Sequence, residues 1–229
     1  MKTIILCGGK GMRLIEETKF KPKPLVKIGD EPILWHIMRT YQHYGFDNFI
    51  MALGYKGKQI EKYFLKYGDD PRIDLVDTGL NTPHGERVLR LKKYIKGDHF
   101  MVTYGDGVAD IDIDKLIAFH KEKDTIATIT GVHTTSRWGL VKTEGDYVME
   151  FNQKPLLKEY INGGFMVFKR EFLDVLKKGD MIEDALRRLI PKWQLTLYRH
   201  EGFWHGMDTY KDFVYLNKLW KKDPKWKVW

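Results

Sequence analysis

I-I-L-C-G-G-K-G-M-R-L-I-E-E-T-K-F-K-P-K, residues 4–23, decides the fold class. A short apolar strand, Ile4 to Leu6, runs into Gly8, Gly9 and Gly11, with Arg13 close behind and Lys23 between Pro22 and Pro24. Glycines at the C-terminal end of a strand let backbone N–H groups turn toward an anion with no Cβ in the way. Arg13 and Lys23 then supply charge for a polyphosphate, and the two prolines stiffen the backbone around Lys23. A tight strand-to-helix turn with exposed bases is the plainer reading of the same residues.

Two better-known phosphate loops do not fit. A P-loop needs G-x-x-x-x-G-K-[ST], and no Gly-Lys pair here is followed by Ser or Thr in that frame. The dinucleotide pattern G-x-G-x-x-G starts at Gly9 and Gly11, but Leu14 stands where the third glycine belongs. The next strand ends in Gly54-Tyr55-Lys56, without an acid for a ribose.

Working outward, strands and helices alternate through the first half. Strands are expected at Thr3–Cys7, Asn48–Leu53, Ile73–Val76 and His99–Tyr104, and helices at Ile33–Tyr44, Gln59–Lys66, Glu86–Tyr94 and Ile113–Lys121. Ile33, Leu34, Ile37, Met38 and Tyr41 recur at helical spacing. Such alternation predicts a mostly parallel sheet covered on both faces, with ligands beyond the C-terminal strand ends. Gly8–Lys23 and Gly105-Asp106-Gly107 both fall there. The second half holds more strand: Ile126–Gly131, Leu140–Thr143, Tyr147–Phe151, Gly163–Phe168 and Leu195–Tyr198. A hairpin turn is expected at Gly145-Asp146, and helices at Met181–Leu189 and Tyr210–Trp220. With 229 residues, 43% of them apolar, and no linker in view, one domain over 1–229 is expected.

Net charge is +8, from 39 bases and 31 acids. The lysines are spread along the chain with no RNA- or DNA-binding motif, so the charge reads as a solvated surface around a site for anions. No nucleic-acid or membrane partner is expected, because no apolar run approaches spanning length. The single Cys7 excludes an internal disulfide and reads as a small buried core residue. With no signal-peptide pattern at the N-terminus, a cytoplasmic location is expected.

Asp106, with a glycine on each side, follows a buried strand, and Asp208 precedes the last long helix. Read alone, Asp106 is a turn residue or a metal ligand, and Asp208 a helix N-cap or a metal ligand. Mg²⁺ takes one or two protein carboxylates and completes its shell with phosphate oxygens and water.

The opening stretch resembles the G-G-x-G-T-R-L…K-P-K pattern of the sugar-1-phosphate nucleotidyltransferases. Further matches are Ile33–Met38, Gly54–Gly57, Leu75–Gly79, Thr103–Val108, Asn162–Phe165, His200–Trp204, Met207–Thr209 and Trp226–Trp229. Together they resemble the glucose-1-phosphate cytidylyltransferase branch over nearly the whole chain. The resemblance implies an α/β, Rossmann-like three-layer fold with a mostly parallel mixed sheet. It implies transfer of a cytidylyl group from CTP to a sugar 1-phosphate, assisted by Mg²⁺ on Asp106 and Asp208. By the same resemblance Leu6, Gly8, Gly9, Gly11, Met12, Arg13, Lys23 and Gly105 contact the nucleotide, and Gly85 with Arg87 lies near the base. Arg13, Lys23 and Asp106 are the implied catalytic residues. Gly139, Gln153, Lys154, Asn162 and Gly163 are the implied sugar side. Read as residues only, Lys154 is equally a hairpin-end lysine and Asn162-Gly163 an ordinary turn. Relatives of this kind are commonly homo-oligomers, with Trp226 and Trp229 as candidate contacts.

Three departures bear on the substrate. Met12 replaces a Thr, Gln153 replaces the Glu of Glu-Lys-Pro, and the stretch from Tyr63 to Asp77 is shorter than in that branch. Another nucleoside triphosphate, a non-glucose or phosphonate acceptor, or a silent nucleotide-binding subunit are the alternatives. Retention of Arg13, Lys23, Asp106 and Asp208 argues against silence.

Overall fold

Side chains alternate across a strand, and here both sides of each central strand are apolar. A computed structural model describes residues 1–66 and 72–229. The first half comprises β1 (Lys2–Leu6), α1 (Ile15–Thr18), β2 (Lys27–Ile28), β3 (Glu31–Pro32), α2 (Ile33–His43), β4 (Phe49–Leu53), α3 (Gly57–Leu65), β5 (Ile73–Asp77), α4 (His84–Arg90) and β6 (His99–Tyr104). There follow β7 (Gly107–Ala109), α5 (Ile113–Lys123), β8 (Ala127–Val132), β9 (Gly139–Glu144), β10 (Tyr147–Gln153), β11 (Ile161–Lys169), α6 (Phe172–Val175), α7 (Ile182–Leu189), β12 (Leu195–His200), β13 (Trp204–Gly206) and α8 (Tyr210–Lys222).

Ile5, Met51 and Met101 point to one face of the sheet, where α2, α5 and α8 cover them. Ile4, Leu6, Ile50 and Val102 point to the other, under α4, α6 and α7. Two cores on one sheet make three layers.

The sheet has seven strands in the order β12-β8-β11-β6-β1-β4-β5. β1 runs parallel to β4 and β6, β4 to β5, and β8 to β12, while β11 alone is antiparallel to both its neighbours. The expected mostly parallel mixed sheet is therefore present. After β1 the chain builds outward through β4 and β5, then returns to the opposite side as β6. The gap between the ends of β1 and β6 is thus a switch point, where loops diverge and leave a crevice.

Several features differ from the sequence reading, among them the short elements α1, β2, β3 and α6, which it did not expect. The helix expected at Glu86–Tyr94 starts earlier, at His84, because extended Pro83 serves as its N-cap, and it gives way to a 3-10 turn at Lys92–Tyr94. The short strands β7 and β13 were not expected, since three residues are too few to show a period. Part of the shortened Tyr63–Asp77 stretch, residues 67–71, lies outside the described residues.

The hairpin β9–β10 turns at Gly145-Asp146 as expected and stands apart from the main sheet. Tyr147, Val148, Met149 and Phe151 are exposed along it. The C-terminal tail packs on its own chain. Trp226 is fully buried, stacked between Trp220 and Phe203. Its indole N–H donates to His36 Nδ1 at 3.4 Å, while His36 Nε2–H donates to the Ile28 carbonyl at 2.9 Å. Burial pushes His36 down to about 4, so the ring is neutral and accepts on Nδ1 at neutral pH. Trp226 therefore serves the body of the fold.

Candidate active site

The loop after β1 is tied at three points. Gly11 adopts the left-handed conformation at φ 63°, and a Cβ there would press on Thr18 and Lys23. The Thr18 hydroxyl donates to the Gly11 and Leu14 carbonyls, and the Tyr55 N–H donates to the Gly8 carbonyl at 3.1 Å. This leaves Met12 at the surface, 76% exposed. A cavity of about 240 Å³ opens beside the loop at the β1/β6 switch point. Leu6 and Cys7 come from the end of β1, Gly9, Gly11, Met12 and Arg13 from the loop, and Lys23 with Pro24 from the turn beyond. Tyr104, Gly105 and Asp106 close it from β6.

Lys23 forms the centre of a charge cluster. Its Nζ donates to Asp106 Oδ2 at 2.6 Å and to Asp208 Oδ1 at 2.8 Å. Arg13 meets Asp208 Oδ1 at 3.0 Å, and Arg137 meets Asp208 Oδ2 at 3.1 Å. Burial alone lowers the pKa of Lys23, but the charge of Asp106 and hydrogen bonds to both aspartates outweigh it and raise it. For Asp208, burial favours the neutral acid, yet Lys23, Arg13 and Arg137 hold the carboxyl below the usual range. Both groups are charged at neutral pH.

Backbone geometry explains how residues so far apart in sequence meet. β7 pairs with β13, Gly107 opposite Gly206, and the Met207 N–H donates to the Asp106 carbonyl at 2.8 Å. The two aspartates flank this three-residue ribbon. Asp208 is not the N-cap of α8; Thr209 is. Asp212 Oδ2 accepts from the N–H groups of Asp208 and Thr209 at 3.1 and 2.8 Å, and His205 closes on Oδ1. The capping box therefore leaves the Asp208 side chain free to meet Lys23, Arg13 and Arg137 and fixes its backbone.

Asp212 titrates accordingly. Burial would raise its pKa, but hydrogen bonds from His205 and Thr209 dominate and hold it well below the ordinary carboxylate range. Its contribution is present above the unfolded pKa and is lost as pH falls through the folded one. Asp212→Ala is expected to cost about 1–2 kcal/mol near neutral pH, a difference that narrows below about pH 4. Thermal melts of both proteins between acid and neutral pH check it, and parallel curves throughout would refute it.

Arg87 and Gly85 both have a part in holding the fold together. Arg87 is 2% exposed. Its Nη1 donates to the Leu53 and Gly79 carbonyls and the Thr78 hydroxyl, and its Nη2 to the Gly8 and Leu80 carbonyls. It clips the ends of β1, β4 and β5 together. A Cβ on Gly8 would lie 2.3 Å from the Arg87 guanidinium, so glycine is required there by that close approach. Gly85 presses on the backbone of Asp180 and Met181, where a Cβ would lie 2.8 Å away, and seats α4 on α7.

The sugar-side residues form two groups outside the cavity lining. Gly139 and Gln153 are register partners at the open end of β9–β10, with Lys154 next in a left-handed turn. Asn162 and Gly163 begin β11 at an irregularity in its pairing with β8. The Asn162 side-chain Oδ1 accepts from the Gly164 N–H, and the Gly163 backbone carbonyl from the Trp204 indole.

Sequence reasoning missed His84, Tyr104 and Arg137. Tyr104 donates to Glu183 at 3.0 Å, and burial with the Glu183 charge raises its pKa, so it stays a neutral hydroxyl. His84 lies against its ring, and burial lowers the pKa of that imidazole. Tyr104 at a strand's C-terminal end was a readable signal; Arg137 carried none.

Among the described residues no group of three or more His, Cys, Asp or Glu side chains makes a self-sufficient metal site. Asp106 and Asp208 both reach one cationic atom, Lys23 Nζ, so two hard carboxylate oxygens already converge on a positive centre. That donor set fits Mg²⁺ completed by phosphate and water. A glycine loop, fixed cations and paired carboxylates at a switch point define an α/β enzyme built to handle a polyphosphate.

Residues 2–222 match the family model described as nucleotidyl transferase, and the chain belongs to that family. It is 41% identical to the probable glucose-1-phosphate cytidylyltransferase of Bacillus subtilis over 254 residues, covering 100% of both chains. It is 39% identical to the glucose-1-phosphate cytidylyltransferase of Salmonella typhi over 256 residues, again covering 100% of both. HddC from Yersinia pseudotuberculosis shares the fold at a TM-score of 0.74 and 22% identity, covering 96% of this chain and 99% of that one. The two sequence alignments run longer than this chain, so both relatives carry insertions that it lacks.

Proposed function

We propose that this nucleotidyltransferase moves a cytidylyl group from CTP to a sugar 1-phosphate, glucose 1-phosphate by default, giving a CDP-sugar and pyrophosphate. The similarity along the full chain to proteins of that name carries the reading. The Lys23–Asp106–Asp208 cluster beside a glycine loop supports it.

An oxygen of the acceptor phosphate attacks the α-phosphorus, one P–O bond forms, and the bond to the β-phosphate oxygen breaks. The acceptor is already a phosphate anion, so no general base is needed. The protein's work is positioning and charge compensation. Arg13, at the cavity rim, holds the outer phosphates. Lys23, kept protonated by its aspartates, supports the α-phosphate and the charge that builds on the leaving group. Asp106 and Asp208 would hold Mg²⁺, which supplies Lewis-acid neutralisation of phosphate charge when bound. Arg87 holds the Gly8 loop in place for the nucleotide.

A second acceptor is favoured by one residue. Gln153 stands beside Gly139, and its amide both donates and accepts where a glutamate only accepts. A sugar with a different hydroxyl pattern then fits. Pyrophosphate release, crossing four nucleoside triphosphates with a panel of sugar 1-phosphates, tests both readings. Turnover with CTP alone is expected; turnover with another nucleotide overturns the base assignment. We also propose a homo-oligomer, supported by the exposed apolar residues of β9–β10. A monomer mass by light scattering would overturn that. Among the described residues no helix is long and apolar enough to cross a membrane.

A further inference from the structure

Asp208 meets more positive charge than one carboxylate balances. Three cations, Lys23, Arg13 and Arg137, share its two oxygens, and Lys23 alone also meets Asp106. Lys23 and Arg13 belong to the segment after β1. Arg137 comes from elsewhere, the connection between β8 and β9.

That connection is laced to the segment that leaves the open end of the hairpin. The Ser136 N–H donates to the Pro155 carbonyl at 2.8 Å, the Leu157 N–H donates to the Thr134 carbonyl at 2.9 Å, and Thr135 bridges Leu156. Arg137 is thus held on a frame shared with Lys154 and Gln153, while its guanidinium reaches across to Asp208. The side chain is 53% exposed, and Asp208 is its one recorded hydrogen-bond partner among the described residues. A half-exposed ion pair contributes little and exchanges easily. A guanidinium offers five N–H donors in a planar fork, so a single contact leaves most of them for another anion.

We propose that Arg137 binds the phosphate of the acceptor and rests on Asp208 until that phosphate arrives. This rests on the nucleotidyl-transfer reading above. A phosphate monoester dianion matches the guanidinium fork with two oxygens at once, a stronger pairing than one carboxylate oxygen gives. An Asp208 shared with a divalent cation offers Arg137 less attraction, which turns the guanidinium toward the acceptor. Through its loop, Arg137 links the hairpin that carries Gly139 and Gln153 to the aspartate that would carry the metal side.

The test compares Arg137→Gln and Arg137→Lys with the unmodified protein, using glucose 1-phosphate and CTP with Mg²⁺. Arg137→Gln is expected to raise KM for the acceptor about tenfold or more, with KM for CTP and the melting temperature unchanged, and Arg137→Lys to recover part of the loss. Calorimetry with inorganic phosphate gives a reading independent of turnover, with weaker binding expected for Arg137→Gln. An unchanged acceptor KM, or a loss falling equally on CTP, overturns the proposal. If the unmodified protein turns over no substrate pair, the function reading fails and calorimetry decides Arg137. Equal phosphate binding by both proteins, or none by the unmodified one, then overturns it.

Discussion

Asp106→Asn is expected to lower kcat on the order of a thousandfold while leaving the fold intact. Asparagine keeps the size of the side chain and one oxygen, so the substitution removes charge with little else. Asp106 is 38% exposed at a turn between two glycines, a place that tolerates a neutral amide. Two effects then combine. On the proposed function, the pair of carboxylates that would hold Mg²⁺ drops to one. Lys23 also loses the partner at 2.6 Å that most raises its pKa. Both changes weaken compensation of charge on the triphosphate as the bond to the leaving group lengthens. Pyrophosphate release and thermal melts, measured together, separate chemistry from folding. Full activity with an unchanged Mg²⁺ requirement would remove Asp106 from the metal assignment.

Arg87→Ala is the substitution with the largest expected cost in stability, about 3–5 kcal/mol. The guanidinium is buried and makes five hydrogen bonds, four to backbone carbonyls and one to Thr78. Alanine leaves those acceptors without their donor, three of them in buried bonds. The carbonyls belong to three strand ends, so the loss spreads from Gly8 to Leu53 to Gly79–Leu80. A melting temperature lower by roughly 10 °C is expected for a domain of this size. On the proposed function, nucleotide binding should weaken as well, because the Gly8 loop loses its anchor. A melt within a degree or two of the unmodified protein would show that Arg87 is dispensable as a clip.

The sequence was most legible where local signals were dense. The run from Ile4 to Lys23 combined a strand, three glycines and two cations, and the cavity lies beside it. Helix α2 and the β9–β10 turn announced themselves by period and by Gly145-Asp146. The charge cluster was legible only as separate residues. What joins Asp106 to Asp208 is the β7–β13 ribbon, three residues on each side, too short for any pattern. Arg87 carried a resemblance to a base-side segment, but its burial depends on two glycines, Gly8 and Gly54, that are distant in sequence. Arg137 sits in a loop whose course is set by backbone pairing with Pro155 and Leu156. Such contacts arise from tertiary placement and leave no trace in spacing.

Lys23 and Asp208 are 185 positions apart, and His36 and Trp226 are 190 apart. During synthesis, therefore, the glycine loop and its lysine leave the ribosome long before Asp208, the later of its two carboxylate partners. Local elements such as α2 and the β9–β10 hairpin can form early, but His36 on α2 waits for Trp226 to cover it. The ion cluster comes into being only near the end of translation, once β13 has found β7. A nascent chain halted before residue 208 would display a basic, partly uncovered loop with an affinity for polyanions that the finished molecule restrains with its own aspartates.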